Sequence, residues 1–299
     1  MKVIKKYQLI AVFILLTFLT VLGSLYDFKI ANKLYLGQKT TDNLFGIIFS
    51  FIGIIPTFVG WSFLGASIYY LSIKNINDIK KRRWSIALAI FLFVLSFFFF
   101  CNTLLMVNSN AFKVHWLIAY PVGILIIIGA GYLGYKLAKQ SDNPELLKTI
   151  LFLSFVSLLV MIIVMTTKEI MDRPRFRLVH KLSDSDYYIN WWESGAKLKE
   201  SLNLNEINDE FASFPSGHSA YAMFGVFIFP ALCSYIPKTS RYKSLFVIFG
   251  FVFWALTALS RMTVGAHYLT DVAVGGLITL ISYVIIEVIW WFVLKKKKL

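Results

Sequence analysis

The sequence predicts an all-α fold, a polytopic bundle of about eight membrane-spanning helices with one long loop on the extracytoplasmic side. Three observations lead there. Of the 299 residues, 58% are hydrophobic and only 15% are charged, whereas a soluble domain carries about 25% charged residues. The apolar residues fall in long blocks instead of building one soluble core, and a bilayer core about 30 Å thick takes roughly 20 apolar residues per helix. The basic residues are also shared unevenly between the two sides that the blocks define.

The blocks run over about 8–26, 46–73, 85–107, 115–137, 148–167, 219–236, 244–260 and 272–294. Lys2, Lys5 and Lys6 precede the first, as in a signal peptide. Its apolar run is long and no A-x-A pattern follows, so it is expected to be an uncleaved span. Pro56 marks the second block as tilted or partly interfacial. Most connections are short; the exception is 168–218. Within it, Tyr187, Tyr188, Trp191 and Trp192 suit a surface lying on lipid head groups, and ordinary loop packing serves them equally well. The stretch GAKLKESLNL at 195–204 fits one short amphipathic helix. Residues 1–145 are expected to be transmembrane helices without a chemical motif, and residues 146–299 the core that carries the motifs.

A net charge of +14 invites a nucleic-acid reading, but the distribution argues against it. With eight spans and the N-terminus inside, the cytoplasmic pieces are 1–7, 74–84, 138–147, 237–243 and the C-terminal tail. Together with Lys136 and Lys148 they hold 18 of the 30 Lys and Arg, including KKRR at 80–83 and KKKK at 295–298. The bias follows the positive-inside rule for a multi-pass protein of the cell membrane, with both termini cytoplasmic. The basic runs then meet anionic lipid head groups, and no nucleic-acid partner is expected. Cys101 and Cys233 fall inside spans without paired spacing, and read as small buried hydrophobes rather than a disulfide or metal site.

Span parity puts three polar clusters on the extracytoplasmic face. In SRMTVGAHYLTD at 260–271, His267 and Asp271 are four apart at the start of the last span, on one face if that segment is helical. A carboxylate there can hold one imidazole nitrogen and leave the other free as a nucleophile. A structural bond tying two helices would use the same pair, and from the pair alone it has the edge. Arg261 and Ser260 precede it, while Lys168, Arg173 and Arg175 leave the fifth span. Each cation alone would be a snorkelling residue; together they set fixed positive charge, with arginine forks suited to phosphate, on the face of His267. PSGH at 215–218 opens the sixth span. Ser216 offers a hydroxyl or a helix cap, and Gly217 a close approach of backbone N–H groups to an anion. His218 offers a proton near neutral pH.

The combination resembles the type-2 phosphatidic-acid phosphatase superfamily. That family includes lipid phosphate phosphatases, phosphatidylglycerophosphate and undecaprenyl-diphosphate phosphatases, glucose-6-phosphatase and vanadium haloperoxidases. KEIMDRPRF, PSGH and SRMTVGAHYLTD match its three signatures in order and spacing, with one departure at Phe176, where the family usually has proline. The resemblance implies that His267 attacks phosphorus, Asp271 orients it, and His218 protonates the leaving oxygen and then activates water. It implies that Lys168, Arg175 and Arg261 hold the phosphate oxygens, helped by Ser216 and Gly217. Arg173, Pro215 and Ser260 are supporting residues. No metal and no cofactor is implied. The expected partners are a lipid phosphate or polyprenyl diphosphate and the surrounding membrane lipids, with specificity in the 178–213 loop and in grooves between spans. A lipid or sugar phosphotransferase would use the same site. A non-catalytic phosphate binder would need only the cations, and a haloperoxidase would be soluble.

Overall fold

The computed structural model describes residues 3–38, 43–111, 116–183, 185–202 and 208–296. Among these residues the chain is helical, without strands. The helices are α1 (Lys6–Leu34), α2 (Leu44–Ile52), α3 (Ile55–Asn75), α4 (Ile79–Ala111), α5 (Trp116–Gln140) and α6 (Leu146–Met171). They continue with α7 (Phe176–Leu182), α8 (Ala196–Ser201), α9 (Gly217–Met223), α10 (Gly225–Tyr235), α11 (Lys243–Thr263) and α12 (Leu269–Lys296).

Eight helical stretches among the described residues are long and apolar enough to cross a bilayer, which makes this a multi-pass membrane protein. They coincide with the eight apolar blocks of the sequence, with local differences. The second span is two helices. Asn43 caps α2 by accepting from Gly46 N at 2.8 Å, and the helix ends at Gly53. Pro56 then sits in the first turn of α3, where its missing N–H costs no helical bond. Pro56 therefore starts a new helix instead of tilting a continuous one. The short helix expected at 195–204 is α8, covering Ala196–Ser201; residues 203 and 204 lie outside the described residues, as do Lys297 and Lys298 of the basic tail.

α12 packs against α1, α6 and α9, and α11 packs against α10, α9 and α2. α3 contacts α6 and α9 on one side and carries α4 and α5 on the other. Several buried polar groups along these seams are paired, as a low-dielectric interior favours, while the hydroxyls of Ser72, Ser96 and Ser282 and Trp290 Nε1 are buried without a partner. Trp61 Nε1 donates to Ser157 Oγ at 2.8 Å, and Trp254 Nε1 to Ser219 Oγ at 2.7 Å. Ser219 Oγ in turn donates to Val272 O at 2.6 Å, tying α9 to α12. Two glycines permit close approaches to and by α12. A Cβ at Gly275 would lie 2.5 Å from Ser216 O, and one at Gly23 2.9 Å from Thr270 N. These contacts press α12 against the start of α9 and against α1. The outer faces are apolar: Ile14, Phe18 and Leu25 on α1, and Leu125 on α5, are exposed, as suits side chains facing lipid. Cys101 and Cys233 are buried free thiols.

Candidate active site

The polar clusters meet at one end of the bundle, where α6, α11 and the descending part of α1 end and α2, α9 and α12 begin. α6 closes at Asp172, which adopts a left-handed conformation with φ 42°, a conformation that Asp tolerates better than most residues. The chain turns there and presents Arg173 and Arg175 inward, both buried. Backbone bonds pin this segment to the turn that precedes PSGH and to the 260–271 cluster: Arg175 N donates to Glu210 O at 2.8 Å, and Arg177 N to Gly265 O at 2.9 Å. Phe176, the one departure from the family signature, is the first residue of α7 and fully buried against Ala31 and Tyr268, with Phe28 and Tyr35 alongside. The aromatic ring thus anchors the segment to α1.

His267 and Asp271 come together, but not as the i,i+4 spacing predicts. α12 begins at Leu269, so His267 precedes the helix. His267 Nδ1 lies 2.6 Å from Ser213 O and 3.8 Å from Asp271 Oδ2. A carbonyl can only accept, so Nδ1 carries the proton and Nε2 keeps the lone pair. Asp271 accepts from Tyr268 N at 2.8 Å in the manner of a capping box, and from Ser213 Oγ at 2.6 Å. Ser213 therefore touches both members of the pair, one through its carbonyl and the other through its hydroxyl. Burial lowers the pKa of His267 from 6.5 to about 3; Lys168 and Arg175 add to the effect, and the Asp271 carboxylate opposes it. The imidazole is neutral in this state.

Around it stand the cations. Lys168, Arg175 and Arg261 lie close enough for their charges to act on one another. Those of Lys168 and Arg175 also reach His267, and those of Arg175 and Arg261 reach His218. Lys168 Nζ donates to Ala212 O, and Arg261 Nη1 to Ser50 Oγ. Arg175 Nη2 meets Asp209 Oδ1 at 2.6 Å. The Nε atoms of Arg175 and Arg261 are buried without a hydrogen-bond partner. Orphaned guanidinium donors are costly in a dry interior, and they are the groups that a bound oxyanion would satisfy. Asp209 stays ionised beside them: partial desolvation against its neighbours raises its pKa, but Arg175, Arg177 and Lys168 outweigh that and hold it below the usual carboxylate range.

Ser216 caps α9, accepting from Ser219 N at 3.4 Å, and Gly217 is the first residue of that helix. Its backbone lies beside Lys168, whose Cε is 3.8 Å from where a Gly217 Cβ would stand. Pro215 is buried, after a cis peptide bond from Phe214. His218 Nε2 lies 3.1 Å from Ser50 O on α2, which leaves Nδ1 as its acceptor nitrogen. Ser260 is buried but bonds to Thr257 O, one turn back in α11, at 2.7 Å, so its hydroxyl is spent within its own helix. Arg173 is wholly buried and forks between two carboxylates. Its Nη1 lies 2.5 Å from Asp271 Oδ1, and its Nη2 3.1 Å from Asp27 Oδ2 on α1.

Sequence reasoning missed Asp27, Ser50, Asp209 and Ser213. A carboxylate at the end of the first apolar block was the available signal for Asp27; the others have ordinary loop and helix residue types. Trp191 packs, donating from Nε1 to Ser24 Oγ at 2.9 Å and stacking on Phe214, while Trp192 is exposed.

A search of curated proteins found no match to the chain, and neither did a search of solved structures. The family model of the PAP2 superfamily matches residues 149–298, the stretch that carries all three motifs. With half of its length matched, the chain belongs to the PAP2 superfamily, and that membership supports a membrane phosphatase.

Proposed function

We propose that this membrane phosphatase hydrolyses a lipid phosphate or an isoprenoid diphosphate at the extracytoplasmic face, through a phosphohistidine. The observation that carries the reading is the pair of buried, unpartnered guanidinium Nε atoms, on Arg175 and Arg261, in a cation cluster whose charges reach His218 and His267, the latter with Nε2 free to attack. Lys168, Arg175 and Arg261 hold the non-bridging oxygens, with the Gly217 N–H and the α9 N-terminus assisting. On binding, a substrate phosphate monoanion passes its proton to Nδ1 of His218; His267 Nε2 then forms the N–P bond while the P–O bond to the leaving group breaks, and the leaving oxygen takes that Nδ1 proton from His218. Water then loses a proton to His218 and attacks phosphorus, the N–P bond breaks, and phosphate departs. The parity of the spans and the Lys/Arg bias support the extracytoplasmic placement. The exposed apolar flanks of the bundle support a substrate whose tail stays in lipid.

The test is phosphate release by purified protein in detergent from a panel of phosphatidic acid, phosphatidylglycerophosphate and polyprenyl diphosphate. His267→Ala is expected to insert normally and release none from any of them, and wild-type turnover by this variant would end the proposal. Trapping labelled, acid-labile, base-stable phosphate on the wild-type protein checks the intermediate.

A further inference from the structure

We infer that Asp27, on α1, is a positioning residue for the nucleophile, acting on His267 through Arg173 and Asp271; the inference rests on the phosphatase reading above. α1 lies outside the family match and carries no motif. Yet the Asp27 side chain is fully buried, and every partner it shows belongs to the catalytic end of the chain. Its Oδ1 accepts from Thr270 N at 2.9 Å, and its Oδ2 from Arg173 Nη2 at 3.1 Å and from the Thr270 hydroxyl. The Thr270 hydroxyl in turn accepts from Arg173 Nη1 at 2.9 Å, next to the Nη1 bond to Asp271. Arg173 is held further by Ile189 O at 2.9 Å and by the ring of Tyr268, 4.2 Å from its guanidinium carbon. These contacts hold the guanidinium in the orientation in which Nη1 meets Oδ1 of Asp271.

The arrangement matters because of charge. Arg173 alone would neutralise Asp271. Asp27 accepts from Arg173 and from both the N–H and the hydroxyl of Thr270, as a carboxylate does, and with Asp27 ionised the three buried groups carry one surplus negative charge. When Nε2 of His267 bonds to phosphorus while Nδ1 keeps its proton, the ring becomes positive. A surplus carboxylate charge in a dry site stabilises that state more than the neutral resting one, and such differential stabilisation lowers the barrier. Gly23, one turn before Asp27, has the space for this approach: a Cβ there would lie 2.9 Å from both Asp27 Oδ1 and Thr270 N.

The experiment uses the full chain in detergent, with short-chain phosphatidic acid as substrate and inorganic phosphate as competing ligand. Asp27→Asn is expected to lower kcat by about 10- to 100-fold. KM and inhibition by phosphate should change by less than about threefold, because the oxygen-holding cations are untouched. Combining Asp27→Asn with Arg173→Met should be no slower than Arg173→Met alone, since Asp27 acts through that guanidinium. Wild-type kcat in Asp27→Asn, parallel loss of phosphate binding, or losses that multiply in the double variant would each overturn the inference. If Asp27→Asn does not fold, Arg173→Lys carries the test. An ammonium cannot fork onto both carboxylates, so the same kcat loss is expected, and wild-type kcat overturns the inference. A wild-type protein inert on every substrate would sink the phosphatase reading as well, whereas an active wild type with an unaltered Asp27→Asn sinks this inference alone.

Discussion

Asp209 Oδ1 sits 2.6 Å from Nη2 of Arg175, so an internal carboxylate occupies a guanidinium that the proposed mechanism gives to phosphate. Asp209 is 63% exposed in its side chain and belongs to a short turn spanning Asn208–Phe211. In the proposed mechanism it is an anion that competes with substrate for that guanidinium.

Removing that competitor should help binding. Asp209→Asn is expected to tighten inhibition by inorganic phosphate and lower KM by about two- to fivefold, the range of a solvent-screened pair. Steady-state kinetics in detergent at fixed ionic strength checks it, and the gain should shrink as salt is raised.

Acid should destabilise the ligand-free protein partly through His267. Its pKa is lowered from 6.5 to about 3 by burial. The unfolded chain therefore takes up the proton first as pH falls. The contribution is complete above pH 6.5 and is lost progressively down to about 3. Melting temperature should fall on acidification from about pH 7 to 5, and fall less in His267→Asn, which removes the titrating group. The same depression keeps the nucleophile unprotonated, so an acid limb in kcat/KM above pH 4 would belong to another group.

Gly275 should not tolerate a side chain. A Cβ there would stand 2.5 Å from Ser216 O. Gly275→Ala is expected to cost about 1–3 kcal/mol in stability, as overpacking does. It should also reduce turnover by displacing the start of α9. Thermal unfolding and kcat measured on one preparation test both effects.

Positive charge in the proposed phosphate cradle comes from Lys168, Arg175 and Arg261. EDTA should therefore leave turnover unchanged, while vanadate, which takes up a trigonal-bipyramidal geometry, should inhibit in competition with substrate. Dialysis against chelator followed by assay, and a vanadate titration, decide this.

The membrane fold was legible because hydrocarbon imposes one requirement on every span, a long uncharged helix, and the composition meets it eight times. The break before Pro56 was harder to see, because the apolar run continues through it. The three polar clusters were legible as clusters, and the structure brings them together. What the sequence obscured was who holds whom. The spacing of His267 and Asp271 reads as one helical face, yet α12 starts between them, and the acceptor nearest to Nδ1 is the Ser213 carbonyl. Backbone acceptors have no residue signature. Asp27 and Ser50 find their partners across almost the whole chain, Thr270 and Arg261 respectively, and no local pattern encodes such pairings.

The fork of Arg173 across Asp27 and Asp271, and the grip of Ser50 on Arg261, bear on how this protein can diversify. A fragment starting at residue 146 would strand one guanidinium beside a single carboxylate and deprive the other of its hydroxyl, and stripping a partner from a buried ion pair costs about 3–5 kcal/mol. Exchange of the leading spans between homologous genes would therefore succeed only when the incoming segment supplies an acid and a hydroxyl at those two places. The unmarked half of the chain and the marked half form one electrostatic unit.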